Sequence, residues 1–272
     1  MTSMALAPRT ALFLPASNAR AIAKARTLAC DMVILDLEDA VKPEDKDAAR
    51  EAAVAAMAEG FGARIAAIRV NGVDTTEHGA DLAAAAQAAA DVIVVPKVED
   101  ADTATRIAAA VGKPLLAMIE TPAGVLAAPA IAAQPGVAGL IAGTNDLKAT
   151  LGIPSAAGRG GLSLALQTVV LAARAGNGWA LDGVFNALAD AEGLAAECRE
   201  GRALGFDGKT LIHPGQIAVA TEAFGATTDE IADAQALLAA AQGGAERFHD
   251  RMIEAMHVAQ ARLLLQRSGA VE

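Results

Sequence analysis

Eight short runs of β-branched and large apolar residues recur along the chain, each followed by a longer alanine-rich stretch, and few folds accept that rhythm. The runs are "ALFLPAS" (11–17), "MVILDLE" (32–38), "RIAAIRVN" (64–71), "DVIVVPKV" (91–98), "PLLAMIE" (114–120), "VAGLIAGTND" (137–146), "WALDGVF" (179–185) and "DGKTLIH" (207–213). Between them lie helical patterns such as "EDKDAAREAAVAAMAEG" and "GLAAECREGRALG". Nearly continuous apolar strands joined by helices describe a parallel sheet covered on both faces. Eight such units in 272 residues fit an α/β chain folded as a (β/α)8 barrel. An open doubly wound sheet is the rival, but no G-x-G-x-x-G follows the first strand. Residues 1–240 are therefore read as the barrel. Residues 241–272 are read as an additional helical extension, with "AERFHDRMIEAMHVAQARLLLQR" as one helix packing on a neighbouring subunit.

Composition narrows the function. The net charge is −10, and aromatics number one Trp, six Phe and no Tyr. Nucleic-acid backbones and stacked bases are poor partners for such a surface. An anionic ligand needs a local basic pocket instead. The two cysteines, Cys30 and Cys198, lie far apart and suit a reduced cytoplasmic chain with inert thiols. "MTSMALAPRTALFLP" has no basic leader followed by an unbroken apolar run, so no signal peptide is expected. The uncharged stretch 121–145 contains Pro122, Pro129 and Pro135, which argue against a spanning helix.

In barrels of this kind the C-terminal strand ends build the site. Here those ends carry Ser17, Glu38 and Asp39, Arg69 and Asn71, Lys97, Glu120, Asn145 and Asp146, Asp182, and His213, all expected to converge on one mouth. Glu120 and Asp146 close otherwise uncharged stretches on the fifth and sixth strands, and two carboxylates with few companions suit Mg2+. Arg69 offers a planar fork to a substrate carboxylate, or else a salt bridge to Glu38 or Asp39. A metal beside an arginine suits a 2-oxo acid. Lys97 raises the rival of a Schiff base, against the plainer reading of an ion pair with a nearby carboxylate. Arg20, Lys24 and Arg26 form the basic cluster nearest the mouth. His78, His249 and His257 lack metal-ligand spacing and read as surface residues. The loop "KATLGIPSAAGRGG" is a candidate glycine-rich lid.

With these residues placed, the chain resembles the citrate lyase β-subunit-like proteins of the HpcH/HpaI aldolase superfamily. The resemblance runs through "LFLPAS", "VILDLEDAV", "IRVNG", "VVPKVED", "AMIETPAG", "AGTNDL", "GFDGKTLIHPGQI" and "RMIEAMHVAQARLLL", in order. It implies a (β/α)8 barrel, trimeric or a dimer of trimers, that cleaves or forms a C–C bond between an acyl-CoA and a 2-oxo acid with Mg2+. By position it implies Glu120 and Asp146 as metal ligands, Arg69 on the oxo-acid carboxylate, and Glu38 and Asp39 as the acidic pair supporting the metal's waters. Gly143, Thr144 and Asn145 match the loop cradling the carboxylate, and Pro15, Arg20, Lys24 and His213 the region lining the CoA site. Where many members carry an aspartate in "MIDxP" that reaches a neighbour's site as acid/base, this chain has "MIEAM", putting Glu254 there. A CoA-independent 2-oxo-acid aldolase and a non-catalytic metabolite-binding barrel are the alternatives. Against the first, that branch uses a histidine on an early strand, and none precedes His78.

Overall fold

The computed structural model describes residues 6–270, in two compact units: 7–223, and Leu6 with 224–270. The first contains eight parallel strands closed into a barrel in chain order. It runs β1 (Thr10–Pro15), α1 (Ala19–Ala25), β2 (Met32–Asp36), α2 (Lys46–Glu59), β3 (Ile65–Arg69), α3 (His78–Gln87), β4 (Val92–Val95), α4 (Ala101–Val111), β5 (Leu115–Ile119) and α5 (Pro122–Ala132). Then follow β6 (Val137–Ala142), α6 (Thr144–Thr150), α7 (Ser163–Ala175), β7 (Trp179–Asp182), α8 (Ala191–Leu204), β8 (Gly208–Leu211) and α9 (Ile217–Phe224). The expected (β/α)8 architecture is what the chain adopts. Among the described residues, no helix is long and apolar enough to cross a membrane.

Local chemistry sets the helix ends. Asn18, Asp100 and Asp190 each accept a backbone N–H in the first turn of α1, α4 and α8. Thr121 caps α5, whose first residue is Pro122. Gly112 and Gly205 end α4 and α8 in the left-handed conformation.

Strand parity decides what each side chain sees. Ala11 on β1, Met32 and Ile34 on β2, Ala67 on β3, Leu116 and Met118 on β5, and Trp179 and Leu181 on β7 belong to one buried core cluster, which Phe13 flanks. Stepping two residues onward along β2, β3 and β5 gives Asp36, Arg69 and Glu120, which line one cavity above that core. The barrel mouth is therefore the top layer of the same inward-facing set.

Asp182 has the other parity, and the structure corrects its expected place at the mouth. It is fully buried against Lys209 of β8, 3.0 Å away, and receives a two-pronged bond from Arg159 at 2.9 and 3.1 Å. Glu197 of α8 completes this network, 2.7 Å from Lys209. Arg159 belongs to the loop read as a lid, so that end of the loop is anchored by a buried ion-pair network. Asn71 likewise turns into structure: it is buried, donating to Leu37 and Asp81 and accepting from Lys46.

The second unit holds α10 (Thr228–Ala240), β9 (Glu246–Phe248), β10 (Arg251–Ile253) and α11 (Ala255–Ser268). Ala234, Leu237, Phe248, Ile253, Ala261 and Leu265 form its core. The boundary falls before α10 rather than at 240/241, because α10 shares its apolar face with α11. The segment from 245 is also not one helix. Residues 246–253 pair as an antiparallel hairpin about His249 and Asp250, burying Phe248 and Ile253, before α11 begins. The additional C-terminal helix is α11.

Candidate active site at the barrel mouth

A cavity of about 390 Å³ opens above the barrel core, lined among others by Phe13, Asp36, Arg69, Glu120, Gly143 and Asp146. Its floor is set by a strand register. Asp36 and Arg69 lie directly opposite each other on β2 and β3, so carboxylate and guanidinium meet as a fork. Arg69 Nε donates to Asp36 Oδ1 at 2.7 Å and Nη2 to Oδ2 at 2.6 Å. Glu38 Oε2 sits 2.8 Å from Nη1, and the Phe13 ring lies 4.8 Å from the guanidinium carbon. Burial opposes the charge on Arg69, but Asp36, then Glu38 and Asp39, outweigh it and raise its pKa. Arginine has five N–H donors; two are bonded to Asp36 and one points at the Met118 sulfur, while Glu38 makes charge contact without an aligned hydrogen bond, which leaves donor capacity for a ligand.

Four further carboxylates, Glu38, Asp39, Glu120 and Asp146, stand at this end of the barrel. Glu38 is buried, and burial pushes its carboxyl up to about 7; Arg69 pulls it down, while Asp39 and Glu120 push it further up. Its Oε2 has charge contact with Arg69 but no aligned hydrogen bond. Lys46 Nζ donates to the Leu37 and Glu38 carbonyls at 2.6 and 2.7 Å, fixing the backbone behind it. Glu120 is 4% exposed. Burial raises its pKa; a hydrogen bond from the Lys97 N–H at 2.8 Å opposes this, and Asp146 reinforces it. Asp146 lies in the first turn of α6, half-exposed. Asp39 is exposed and lines the cavity.

Lys97 stands beside this set in an uncommon backbone state. Its φ is +50°, a region that costs a side-chain-bearing residue on the order of 1 kcal/mol. That turn aims its N–H at Glu120. Its Nζ lies 3.6 Å from Glu38 and 3.8 Å from Asp146, the ion-pair reading of this lysine.

The remaining expected residues fall in two groups. Pro15, Thr144 and Asn145 line the cavity, and Asn145 exchanges amide hydrogen bonds with Asn186 at 2.7 and 3.4 Å. Gly143 also lines it, but its N–H is already taken by the Ile119 carbonyl at 3.0 Å. Its contribution is to lie flat against Glu120. Arg20 and Lys24 are exposed on α1, while His213 is exposed and accepts the Gly215 N–H; none of the three lines the cavity. Glu254 starts α11 in the second unit, exposed, donating its N–H to His257 Nδ1 at 2.9 Å. His78 binds the Asn71 carbonyl and His249 packs on Phe248. Both cysteines are free and buried, and burial raises both thiols, Cys198 to about 11.

Asp36, Phe13 and Met118 were not singled out by the sequence reading. Period-2 counting from Met32 and Ile34 marks Asp36 as inward-facing, and that signal was available. Among the described residues, no three His, Cys, Asp or Glu side chains are gathered to hold a metal. Glu120 and Asp146 both line the cavity, and two carboxylates with few companions are the donor set that suits an ion keeping several of its own waters.

The HpcH/HpaI aldolase/citrate lyase family model matches residues 9–214. A (3S)-malyl-CoA thioesterase of Cereibacter sphaeroides is 42% identical over 271 residues, spanning 97% of this chain and 95% of that one. A citrate lyase subunit beta-like protein of Mycobacterium tuberculosis is 35% identical over 265 residues, spanning 95% and 94%. The crystal structure of CitE from that organism in complex with magnesium, acetoacetate and coenzyme A matches with a TM-score of 0.84 and 35% identity, covering 97% of this chain and 99% of the other.

Proposed function

We propose that this chain, which belongs to the HpcH/HpaI aldolase/citrate lyase family, is a Mg2+-dependent lyase that breaks or forms the C–C bond between a CoA thioester and a 2-oxo acid. Malyl-CoA, citramalyl-CoA and citryl-CoA are the substrate types. The observation that carries this reading is the meeting of Arg69, Glu120 and Asp146 at one cavity, with buried Glu38 2.8 Å from the guanidinium. The acidic set fits a divalent ion on this structure's own terms: burial and mutual repulsion raise Glu38 and Glu120, so the site holds more negative charge than it keeps comfortably. CitE of M. tuberculosis, with magnesium and coenzyme A bound, supports the same assignment.

In the cleavage direction Arg69, held rigid by Asp36, presents its remaining donor capacity and its charge to the carboxylate of the oxo-acid half. Glu38, titrating near neutrality, accepts the proton of the 3-hydroxyl group. The C–C bond electrons then pass to the thioester half as an enolate, and the hydroxyl carbon becomes the carbonyl of the released oxo acid. Asp39 supports water around Glu120 and Asp146. When bound at those two carboxylates, Mg2+ supplies Lewis-acid stabilisation of oxygen charge developing on the substrate. Glu254, from a neighbouring copy in a homotrimer or hexamer, gives its own proton to the enolate carbon, and the proton left on Glu38 passes through solvent to restore Glu254. Arg20, Lys24 and His213, exposed, serve the CoA moiety.

A second reading is favoured by the 42% identical thioesterase. The same base, Glu38, activates a water that attacks the thioester carbonyl, releasing CoA thiol and a hydroxy diacid.

One experiment separates the two. The protein is incubated with malyl-CoA, citramalyl-CoA and citryl-CoA, with Mg2+ and then with EDTA, while free thiol and oxo acid are both followed. Oxo acid without thiol means the lyase, and thiol with hydroxy acid but no oxo acid means hydrolysis. Neither product from any of the three, with Mg2+ bound and the fold intact, overturns the CoA reading.

A further inference from the structure

The lysine at the end of β4 performs no step in the reaction above, yet it is placed with care. Three observations bear on it. Its ammonium lies between Glu38 and Asp146, 3.6 and 3.8 Å from them, within the acidic set. Its backbone is held at φ +50° with the N–H bonded to Glu120, so the main chain serves the carboxylate whatever the side chain does. The side chain is 47% exposed and lines a second cavity of about 670 Å³ between α3 and α4. Asp74, Glu99 and Asp100 line that cavity too, with Arg106 and His78 as its other charged or titratable groups, and neither Asp74 nor Glu99 makes an ion pair among the described residues.

We propose that Lys97 is the built-in counter-ion of the carboxylate set, its ammonium holding the place of a divalent cation and withdrawing toward Asp74 and Glu99 when the cation binds. The inference rests on the proposed metal site and adds a competitor to it. Buried carboxylates that repel one another need positive charge nearby, and a lysine whose side chain has a second acidic surface within its own cavity can supply that charge and yield it. The strained backbone makes the exchange local, since the Glu120 hydrogen bond comes from the main chain. Lysine suits the task better than arginine, being a compact point charge on a flexible stem without a fork that locks onto a carboxylate.

The test is metal affinity, not turnover. Mg2+ and Mn2+ are titrated by calorimetry into chelator-stripped protein, wild type and Lys97→Met, with Lys113→Met as a charge-matched control. Lys113 bonds the Ala86 carbonyl at the opposite end of the barrel. Lys97→Met is expected to bind the ion about tenfold more tightly, equivalent to about 1.4 kcal/mol. It should also melt at a lower temperature than wild type without metal, a difference that closes at saturating metal. Lys97→Asn, whose side chain tolerates the left-handed backbone, should do the same if the methionine variant fails to fold. Equal or weaker metal binding by both variants overturns the proposal. Failure of wild type itself to bind either ion refutes the metal site, so the two failures are distinct.

Discussion

Gly143→Ala tests the geometry of the site through one methyl group. Gly143 joins β6 to α6 at φ −91°, a conformation alanine also adopts, so the substitution carries no left-handed backbone penalty. A Cβ there would lie 2.1 Å from Glu120 Cβ and 2.5 Å from Glu120 Oε2. Ordinary carbon contacts begin near ~3.5 Å, so the two residues must separate by more than an ångström. Glu120 follows β5, paired on both sides, and the Gly143 N–H is tied to Ile119. Glu120 Cβ is fixed by its backbone, so no rotamer change relieves the contact; the strain falls on the backbone after β5, which carries Glu120, or on α6, which carries Asp146. Either way one of the two carboxylates moves by about 1 Å relative to the other, a displacement that costs about 100-fold in rate. Overpacking of this kind costs about 1–3 kcal/mol in stability, so the variant stays folded. The assay is kcat/KM on the thioester that wild type turns over, with Mg2+ affinity by calorimetry and Tm measured alongside. Gly79→Ala, at the exposed start of α3 with nothing within 4 Å of the added Cβ, is the control. Activity within threefold of wild type and an unchanged Mg2+ affinity would mean that Glu120 does not work from the position described.

Other consequences are as concrete. In the EDTA-treated protein, Glu38 binds its proton more tightly when folded, so its contribution to stability is complete below its ordinary 4.5 and lost as pH rises through about 7. At roughly 1.4 kcal/mol per pH unit, that amounts to about 3 kcal/mol by pH 8. Glu38→Gln should remove this loss, and Tm curves for the two proteins that stay parallel from pH 5 to 8 would refute it. Arg159→Met strips the bidentate partner from fully buried Asp182 and should cost about 3–5 kcal/mol in urea unfolding; a loss under 1 kcal/mol would show that the network relaxes. Glu254→Gln should lower kcat about 100-fold, and mixed oligomers of Glu254→Gln with Asp146→Ala should recover activity that neither has alone. No recovery on subunit exchange would remove Glu254 from the neighbour's site.

Much of the fold was legible because it is written in period and composition. All eight strands sit where the apolar runs stand, and Asn18, Asp100, Thr121 and Asp190 start helices as short polar side chains do. The strands were read too long at their C-terminal ends: Asn145 and Asp146 were placed at the end of a strand yet lie in the first turn of α6. The hairpin at 246–253 was read as helix because Arg, Met, Ala and Leu dominate its surroundings. Three-residue strands are too short for propensity to outvote that context, and only the burial of Phe248 and Ile253 together reveals them.

The site was legible in its residue types and less so in its directions. A strand end that carries a charge has two choices, inward or outward, and parity from the core decides between them. Counting from Ile34 gives Asp36 and counting from Leu181 excludes Asp182, so both errors at the mouth have one cause: charge near a strand end was weighed without the alternation that orients it. The consequence is chemical. Asp36 holds Arg69 by two bonds in register across β2 and β3, which fixes the guanidinium plane and leaves Glu38 as the carboxylate whose second oxygen lacks a hydrogen bond. Of the two acids beside one arginine, Asp36 makes both hydrogen bonds and Glu38 makes charge contact alone, which is the ground for proposing Glu38 as the base. That division could not be drawn from "VILDLED" alone, because the two acids differ in environment rather than in type.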